Sequence, residues 1–576
     1  MGIVNEYITK LINKIRPSET DKPWLKNYEK MVDHLDYYNG SLYDYVKDTA
    51  QKYPDNTACT YYGKTFTYKK FIKMVDKVAE SLSQFNIVEN ECVTICMPNT
   101  PEAIFLVYAI NKIGAIANIV HPLGSRLDIE RALEETNSQI IFFTDVTMSK
   151  IIDTKVKNAV FVPVSNSLTG IKKMVYNSIN SINFSLKDNM ISWDDFLNKK
   201  QLHANYVMRS CDEPAAIIYS GGTTGKCKGI ILSNRNFNTM ARQTSFVCEY
   251  IKPGNSVLAA LPIFHVFGLA LCVHSCLTAG MNCILVPKLD TKHINKELKK
   301  YKPTVFTAVP SLLNMILNDK DPGKHGFSNT KVIVCGGDYL PNETRIKTEK
   351  YFKEHGSDLK ILVGYGLSEV TGFCCCTAMM DSELDSIGIP NPDIDIKIFE
   401  PNTDVELPYG EIGEICISGP TLMLGYINEE GETANTLVKH SDDKIWLHSG
   451  DLGYMSKKGA LYYTSRIKRM IISNGYNIYP NELEEIINKC EYVDVSTVVG
   501  IPHKIKGYVP KAVIVLKKGV ENTATVRQEI KKYCMQNIAK YAQPYDYEYR
   551  DSLPKTAVGK IAYRELGPKK SKNECN

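Results

Sequence analysis

The sequence has no run of the ~18 consecutive apolar residues that a membrane-spanning helix needs. Its start lacks the charged, apolar and small-residue succession of a secretory leader. Met1-Gly2 invites myristoylation, but Glu6 stands where that signal needs a hydroxyl residue. An excess of one charge is missing too. The 69 Lys and Arg against 64 Asp and Glu leave a net +5 over 576 residues, too little to argue for nucleic acid. There are 17 cysteines but no C-x-x-C pair, and the run Cys374-Cys375-Cys376 suits free thiols in a reducing cytoplasm better than a disulfide framework. Cys272-Val273-His274-Ser275-Cys276 lies in an apolar stretch and is read as core rather than as a zinc site. What is present is 44% apolar and 23% charged residues, a soluble globular composition in a chain long enough for several folding units. Residues 3–15 carry Ile3, Val4, Tyr7, Ile8, Leu11, Ile12 and Ile15 at helical spacing. That face is expected to dock on the protein's own body, with a peripheral membrane contact as the alternative.

One stretch organises the rest. Ser220-Gly221-Gly222-Thr223-Thr224-Gly225-Lys226-Cys227-Lys228-Gly229 sits between two apolar runs, 215–219 and 230–232, that read as buried strands. Its glycines let the backbone approach an anion, its hydroxyls donate, and Lys226 and Lys228 add positive charge. A polyphosphate needs that combination. The run is not a Walker loop, which requires G-x-x-x-x-G-K-[ST]: position 220 is Ser, and Cys227 follows Gly225-Lys226. The plain alternative is a Gly/Thr hairpin with solvated lysines. Ser233 or Asn234 is expected to cap a helix starting near Asn236.

Helical and strand-like patterns alternate from 42 to 152, with strands at 92–97, 116–120 and 140–144 and an apolar helix over 104–110. They alternate again after the loop, with strands at 256–261, 282–286, 305–309, 331–335 and 360–363. Such alternation predicts right-handed crossovers in mostly parallel sheets, one α/β half after the other. Residues 153–205 are polar and weakly periodic, a predicted surface excursion. From 395 to 463 short strands with Gly and Pro turns predict a small antiparallel barrel. The remainder, after 468, has mixed α+β character.

Six further stretches carry candidate chemistry, and each alone has a bland reading. In Leu261-Pro262-Ile263-Phe264-His265-Val266-Phe267-Gly268, a His at a strand end is commonly a satisfied core residue. The Glu of Tyr365-Gly366-Leu367-Ser368-Glu369 could be a solvated cap. Trp446-Leu447-His448-Ser449-Gly450-Asp451 offers one carboxylate with two oxygens, which suits a vicinal diol. Thr464-Ser465-Arg466-Ile467-Lys468, then Ile472-Ser473-Asn474-Gly475-Tyr476-Asn477-Ile478-Tyr479-Pro480-Asn481-Glu482-Leu483-Glu484, and Pro554-Lys555-Thr556-Ala557-Val558-Gly559-Lys560-Ile561 complete the set. Lys560 read alone is a loop lysine.

Taken in order, these stretches and the glycine loop resemble the adenylate-forming superfamily of acyl-CoA synthetases, firefly-type luciferases and peptide-synthetase adenylation domains. The resemblance covers roughly residues 40–565. Its departures are Gly221 for a serine, Cys227 for a proline, Ser368 for a threonine, and Ser465 for the usual Gly or Asp. It implies an α/β fold: a large N-terminal domain, 1–467, of two doubly wound α/β halves plus a small β-barrel, and a small mobile α+β C-terminal domain, 468–576. It implies ATP-dependent activation of a carboxylic acid as acyl-AMP and transfer to coenzyme A. Ser220, Gly221, Gly222, Thr223, Thr224, Gly225, Lys226, Lys228, Tyr365, Gly366, Ser368, Asp451 and Arg466 would bind ATP, with Mg²⁺ on Glu369 and Thr224. Lys560, Glu369 and His265 would be catalytic and Lys468 the hinge. Ser473, Asn474 and Gly475 would meet coenzyme A, and Phe264, Phe267, Gly268, Gly366 and Val370 would line the acyl pocket.

The acyl group is inferred by comparison with relatives. No Asp follows the aromatic of the His265 region, which disfavours amino acids. Gly366 stands where acetate-specific relatives carry Trp, so a larger group is expected. The look is similar to bacterial medium- and long-chain fatty acyl-CoA ligases. Left open are an aryl or arylpropenoic acid, an acyl carrier protein as acceptor, a homodimer, and a degenerate nucleotide-binding regulator.

Overall fold

The computed structural model describes residues 22–28, 32, 34–179, 187–198, 206–220, 227–319, 325–377, 385–473, 476–555 and 561–567. They divide into two compact units: Trp24–Asp395 with Ile417–Leu447, and Ile396–Cys416 with the described residues from His448 onward.

The larger unit is built on two mixed sheets with helices. One has eight strands, in the order Gly425–Tyr426, Lys228–Ser233, Pro214–Ser220, Ile116–Ile119, Cys92–Cys96, Ile140–Phe143, Asn158–Phe161, Met190–Ser192. The other has nine: Ile389–Pro390, Cys375–Cys376, Lys360–Tyr365, Val332–Gly336, Val305–Ala308, Ser256–Ala259, Asn282–Leu285, Thr57–Tyr61, Lys64–Thr67. Most neighbouring strands pair in parallel, and the antiparallel ones are Lys228–Ser233 and Gly425–Tyr426 at one edge of the first sheet and Lys64–Thr67, Cys375–Cys376 and Ile389–Pro390 at the edges of the second. Helix Pro101–Lys112 is apolar on nearly every face and accordingly buried, with Thr100 capping it and Pro101 at its first position. Helix Tyr68–Leu82 lays Phe71, Val75, Val78 and Leu82 against the same core, and Phe71 meets Phe105 edge-on at 5.3 Å.

Three expectations need correction. The halves do not follow one another along the chain. The hairpin Thr57–Tyr61/Lys64–Thr67 joins the second sheet, Thr60 pairing with Ile284, while Pro214–Ser220 returns to the first beside Ile116–Ile119. Residues 153–205 are not merely a surface excursion. Asn158–Phe161 and Met190–Ser192 extend the eight-stranded sheet, and Trp193 and Phe196 are buried. Pattern reading missed them because these short strands carry few apolar residues and are set in a polar stretch. The helix after the glycine loop begins at Asn234, two residues early, because Ser233 and Asn236 close a reciprocal capping box.

In the smaller unit, Ile445–Met455 lies between Gly413–Ser418 and Leu461–Arg466, with Asp451 opposite Arg466. A second sheet runs Tyr476–Ile478, Ile471–Ser473, Gly507–Leu516, Val493–His503, and Asp546–Tyr549 pairs parallel with Gly507–Leu516. Helices Pro480–Asn488 and Ala524–Asn537 contribute Leu483, Ile487, Ile530 and Cys534 to its core. Arg469 is clamped there, donating to Asn481 Oδ1 (2.7 Å) and Glu484 Oε1 (2.5 Å) with Tyr563 3.8 Å from its guanidinium carbon. Among the described residues no helix is long and apolar enough to cross a membrane.

Candidate active site

In parallel α/β sheets ligands gather beyond the carboxyl ends of the strands. Three candidate groups stand there: His121 after Ile116–Ile119, the 261–268 turn after Ser256–Ala259, and Glu369 after Lys360–Tyr365.

Glu369 sits in a 3-10 turn, Ser368–Val370, that Thr371 closes in the left-handed conformation (φ 62°). Tyr426 O–H donates to Glu369 Oε1 at 2.9 Å, and Met423 N–H donates to the Glu369 carbonyl at 2.9 Å. Burial pushes the Tyr426 hydroxyl far above its ordinary range, and the neighbouring carboxylate pushes the same way, so it remains a donor. Lys228 ion-pairs with Glu432 and lies 4.9 Å from the centre of the Tyr426 ring. Tyr426 thus ties the end of the glycine loop to Glu369. The sequence signals it only as the aromatic of a Gly425-Tyr426 pair. Ser220 and Lys228 face each other across antiparallel strands. Gly221, Gly222, Thr223, Thr224, Gly225 and Lys226, between them, lie outside the described residues.

Beside His265 the chain is fixed by a residue that sequence reading missed. Asn99, buried just after Pro98, donates to the carbonyls of Ala259 (2.9 Å) and Leu261 (2.8 Å) and accepts from Ile263 N–H (2.9 Å). His121 was missed as well. Its ring stacks obliquely on Phe264, with centres 4.0 Å apart, and His265 lies 5.0 Å from Phe264. Burial, aided by Lys150, pushes the His121 imidazole below its usual range, toward the neutral form. A strand followed by a His-Pro step was the only available signal for it.

Phe267 opens a π-helix, Phe267–His274. Gly336 and Gly364 are opposite each other on neighbouring strands. Phe267 lies 3.5 Å from where a Cβ on Gly336 would be, and Phe373 lies 3.5 Å from the same point on Gly364. Val370 is fully buried. At Gly366 the main chain leaves no room for a side chain. A Cβ there would fall 1.9 Å from the Gly372 carbonyl oxygen, so a substituent on Gly366 meets the backbone of the returning segment. Gly268 is similar, with the Pro262 carbonyl oxygen 2.1 Å from the Cβ position. His274, of the Cys272–Cys276 stretch, is buried between Tyr108 O–H (3.1 Å) and Asn238 Oδ1 (3.0 Å), a hydrogen-bonded core histidine.

In the smaller unit Asp451 is 2% exposed and held by Arg466 Nε at 2.7 Å. Lys468 lies in the turn Ile467–Arg469, and Ser473, buried, ends its strand opposite Tyr476 and Gly507. Asn474, Gly475 and Lys560 lie outside the described residues.

The fold defined by these sheets is that of solved CoA ligases. The anthranilate CoA ligase AuaEII in complex with anthranoyl-AMP superposes with a TM-score of 0.79 at 21% identity, over 93% of this chain and 97% of that one. The o-succinylbenzoate CoA synthetase of Bacillus subtilis in complex with ATP and magnesium ion gives 0.72 at 24% identity, over 91% and 98%. By sequence, residues 46–427 match the AMP-binding enzymes and residues 482–560 the AMP-binding enzyme C-terminal domain. A long-chain-fatty-acid–CoA ligase of Bacillus subtilis (strain 168) is 31% identical over 569 residues, covering 96% of this chain and 99% of the relative. The chain belongs to the AMP-binding enzyme family.

Proposed function

We propose that this protein is an AMP-forming acid–CoA ligase for medium- or long-chain fatty acids. The observation that carries the proposal is full-length similarity to a long-chain-fatty-acid–CoA ligase, with the motif stretches standing in the family's order. In the first step a carboxylate oxygen bonds to the α-phosphorus of ATP as the bond to pyrophosphate breaks. In the second, the coenzyme A sulfur bonds to the acyl carbon, AMP leaves, and the thiol proton is released.

Two anions meet in the first step, so charge stabilisation is the main task. Phe264 and His265 border the acyl carboxylate, with His121 setting the aromatic wall behind Phe264. Ser220 to Lys228 hold the phosphates, and Tyr365, Gly366 and Ser368 flank the nucleotide. The carboxylate of Glu369, with the hydroxyl of Thr224, is a hard oxygen set that fits Mg²⁺, and Tyr426 occupies only one of its oxygens. That ion would supply neutralisation of the pyrophosphate leaving group. Asp451 accepts from the ribose hydroxyls while Arg466 holds its other side. Lys560 bridges the carboxylate and the α-phosphate. Domain 468–576 then turns about Lys468, withdrawing Lys560 and bringing Ser473, Asn474 and Gly475 to the thiol arm.

Phe267, Phe373 and the facing Gly336 and Gly364 support an apolar slot, and sixteen free thiols among the described residues support a cytoplasmic enzyme. ATP–pyrophosphate exchange with acetate, octanoate, palmitate, benzoate and 4-coumarate tests the reading. Each buried methylene contributes about 0.8 kcal/mol, close to fourfold in specificity, so exchange should climb from acetate to the longer acids. Benzoate or 4-coumarate above octanoate would favour the aryl reading, and no exchange with any acid would favour a regulator.

A further inference from the structure

Asp451 lies in a strand that does not hold its own shape. Gly450, immediately before it, has φ +69° within the run Ile445–Met455, so regular pairing cannot alone dictate where the Asp451 carboxylate goes. The neighbouring strand Gly413–Ser418 supplies the missing constraint. Glu414, 4% exposed in its side chain, accepts from His448 Nδ1 on one carboxylate oxygen (2.9 Å) and from Gly450 N–H on the other (2.9 Å). Ser449 Oγ donates to the Ile415 carbonyl, and Asp451 N–H donates to that same Oγ at 3.0 Å. Four successive residues, His448 to Asp451, are thereby fastened to Glu414 and Ile415.

A carboxylate is costly to bury, and it persists only where its oxygens are well satisfied. Both Glu414 oxygens are satisfied by the strand residues that precede Asp451. Cys416 Sγ, 3.6 Å from His448 Nδ1, makes the trio resemble a soft-metal site, its ligand atoms all within 4.8 Å of one another. The carboxylate is already engaged on both oxygens, so the arrangement is a clamp rather than a metal cage.

We propose that Glu414 is a positioning residue that sets the Asp451 carboxylate for the two ribose hydroxyls of ATP, acting through His448 and Gly450. This rests on the reading of Asp451 as the ribose ligand. The readout is the kcat/KM preference for ATP over 2′-deoxy-ATP and 3′-deoxy-ATP in pyrophosphate exchange, which a general loss of stability does not move. Asp451→Asn should collapse the preference. Glu414→Ala should lower it at least fivefold, and Glu414→Gln less, because the amide oxygen still accepts from Gly450. Adding Glu414→Ala to Asp451→Asn should lower it no further. Equal losses with ATP and the deoxy nucleotides in both Glu414 variants would overturn the clamp while leaving the ribose reading intact. An unchanged preference in Asp451→Asn would overturn both. If Glu414→Ala does not fold, Glu414→Gln and Ser449→Ala carry the test, and a wild-type preference in both overturns the proposal.

Discussion

At Gly366 the absent side chain is replaced by main chain. The strand Lys360–Tyr365 ends one residue earlier, and the returning segment crosses so closely that the Gly372 carbonyl takes the volume a methyl group would need. Gly366→Ala must push that segment away, and overpacking of this kind costs roughly 1–3 kcal/mol. The same displacement moves the turn that carries Glu369. We therefore expect a lower Tm together with at least a tenfold fall in pyrophosphate exchange for every acid, including acetate. Thermal unfolding and the acid panel check this. Normal stability with a selective loss of long acids would instead place Gly366 on the pocket wall. No single sequence can distinguish those cases, because the neighbour that decides comes from across a turn.

The helix Phe267–His274 joins the proposed pocket to the core, and its last residue reports on the whole element. His274 is buried and hydrogen-bonded, and burial lowers its pKa to about 3. The unfolded chain binds a proton there near pH 6.5 and the folded chain does not. Stability is therefore complete above about pH 6.5 and lost as pH falls below it, by about 1.4 kcal/mol per pH unit until about pH 3. Measured from neutral pH down to about pH 5, His274→Gln should lower Tm at neutral pH but flatten its decline below about pH 6.5, leaving the smaller share of His121. Equal slopes in both proteins would remove His274 as the cause. Elements differed in how legible they were. Long apolar runs such as Cys92–Cys96 and Val305–Ala308 announced themselves as buried strands. Asn158–Phe161 and Met190–Ser192 did not, being short strands set among the polar residues of 153–205. At the candidate site, motif residues such as Glu369 and Asp451 were legible in the sequence as candidates. Asn99 and His121 were not, and Tyr426 only as the aromatic of Gly425-Tyr426, since each acts on a partner far away in the chain.

Across the whole molecule, the proposed turning of domain 468–576 separates the two half-reactions. Lys560→Ala should lower adenylate formation at least ~10²-fold, about 2.7 kcal/mol of barrier, and leave thioester formation from preformed acyl-AMP nearly unchanged. Gly475→Leu should do the reverse, keeping pyrophosphate exchange while coenzyme A-dependent turnover fails. Single-turnover assays of each step decide it, and equal losses in both steps for either variant would count against the alternation. The interleaved sheets carry a different consequence, for synthesis on the ribosome. The strand Thr57–Tyr61 finds its parallel partner only at Cys283 to Leu285. At the ~5–20 residues added each second, the intervening roughly 220 residues occupy about 10–45 s of translation. Through that interval Cys59 and Tyr61, fully buried in the finished protein, have no sheet to enter. The nascent chain must shield an apolar hairpin near its beginning until half the message has been read, so a premature stop before residue 280 leaves that hairpin without its parallel neighbour.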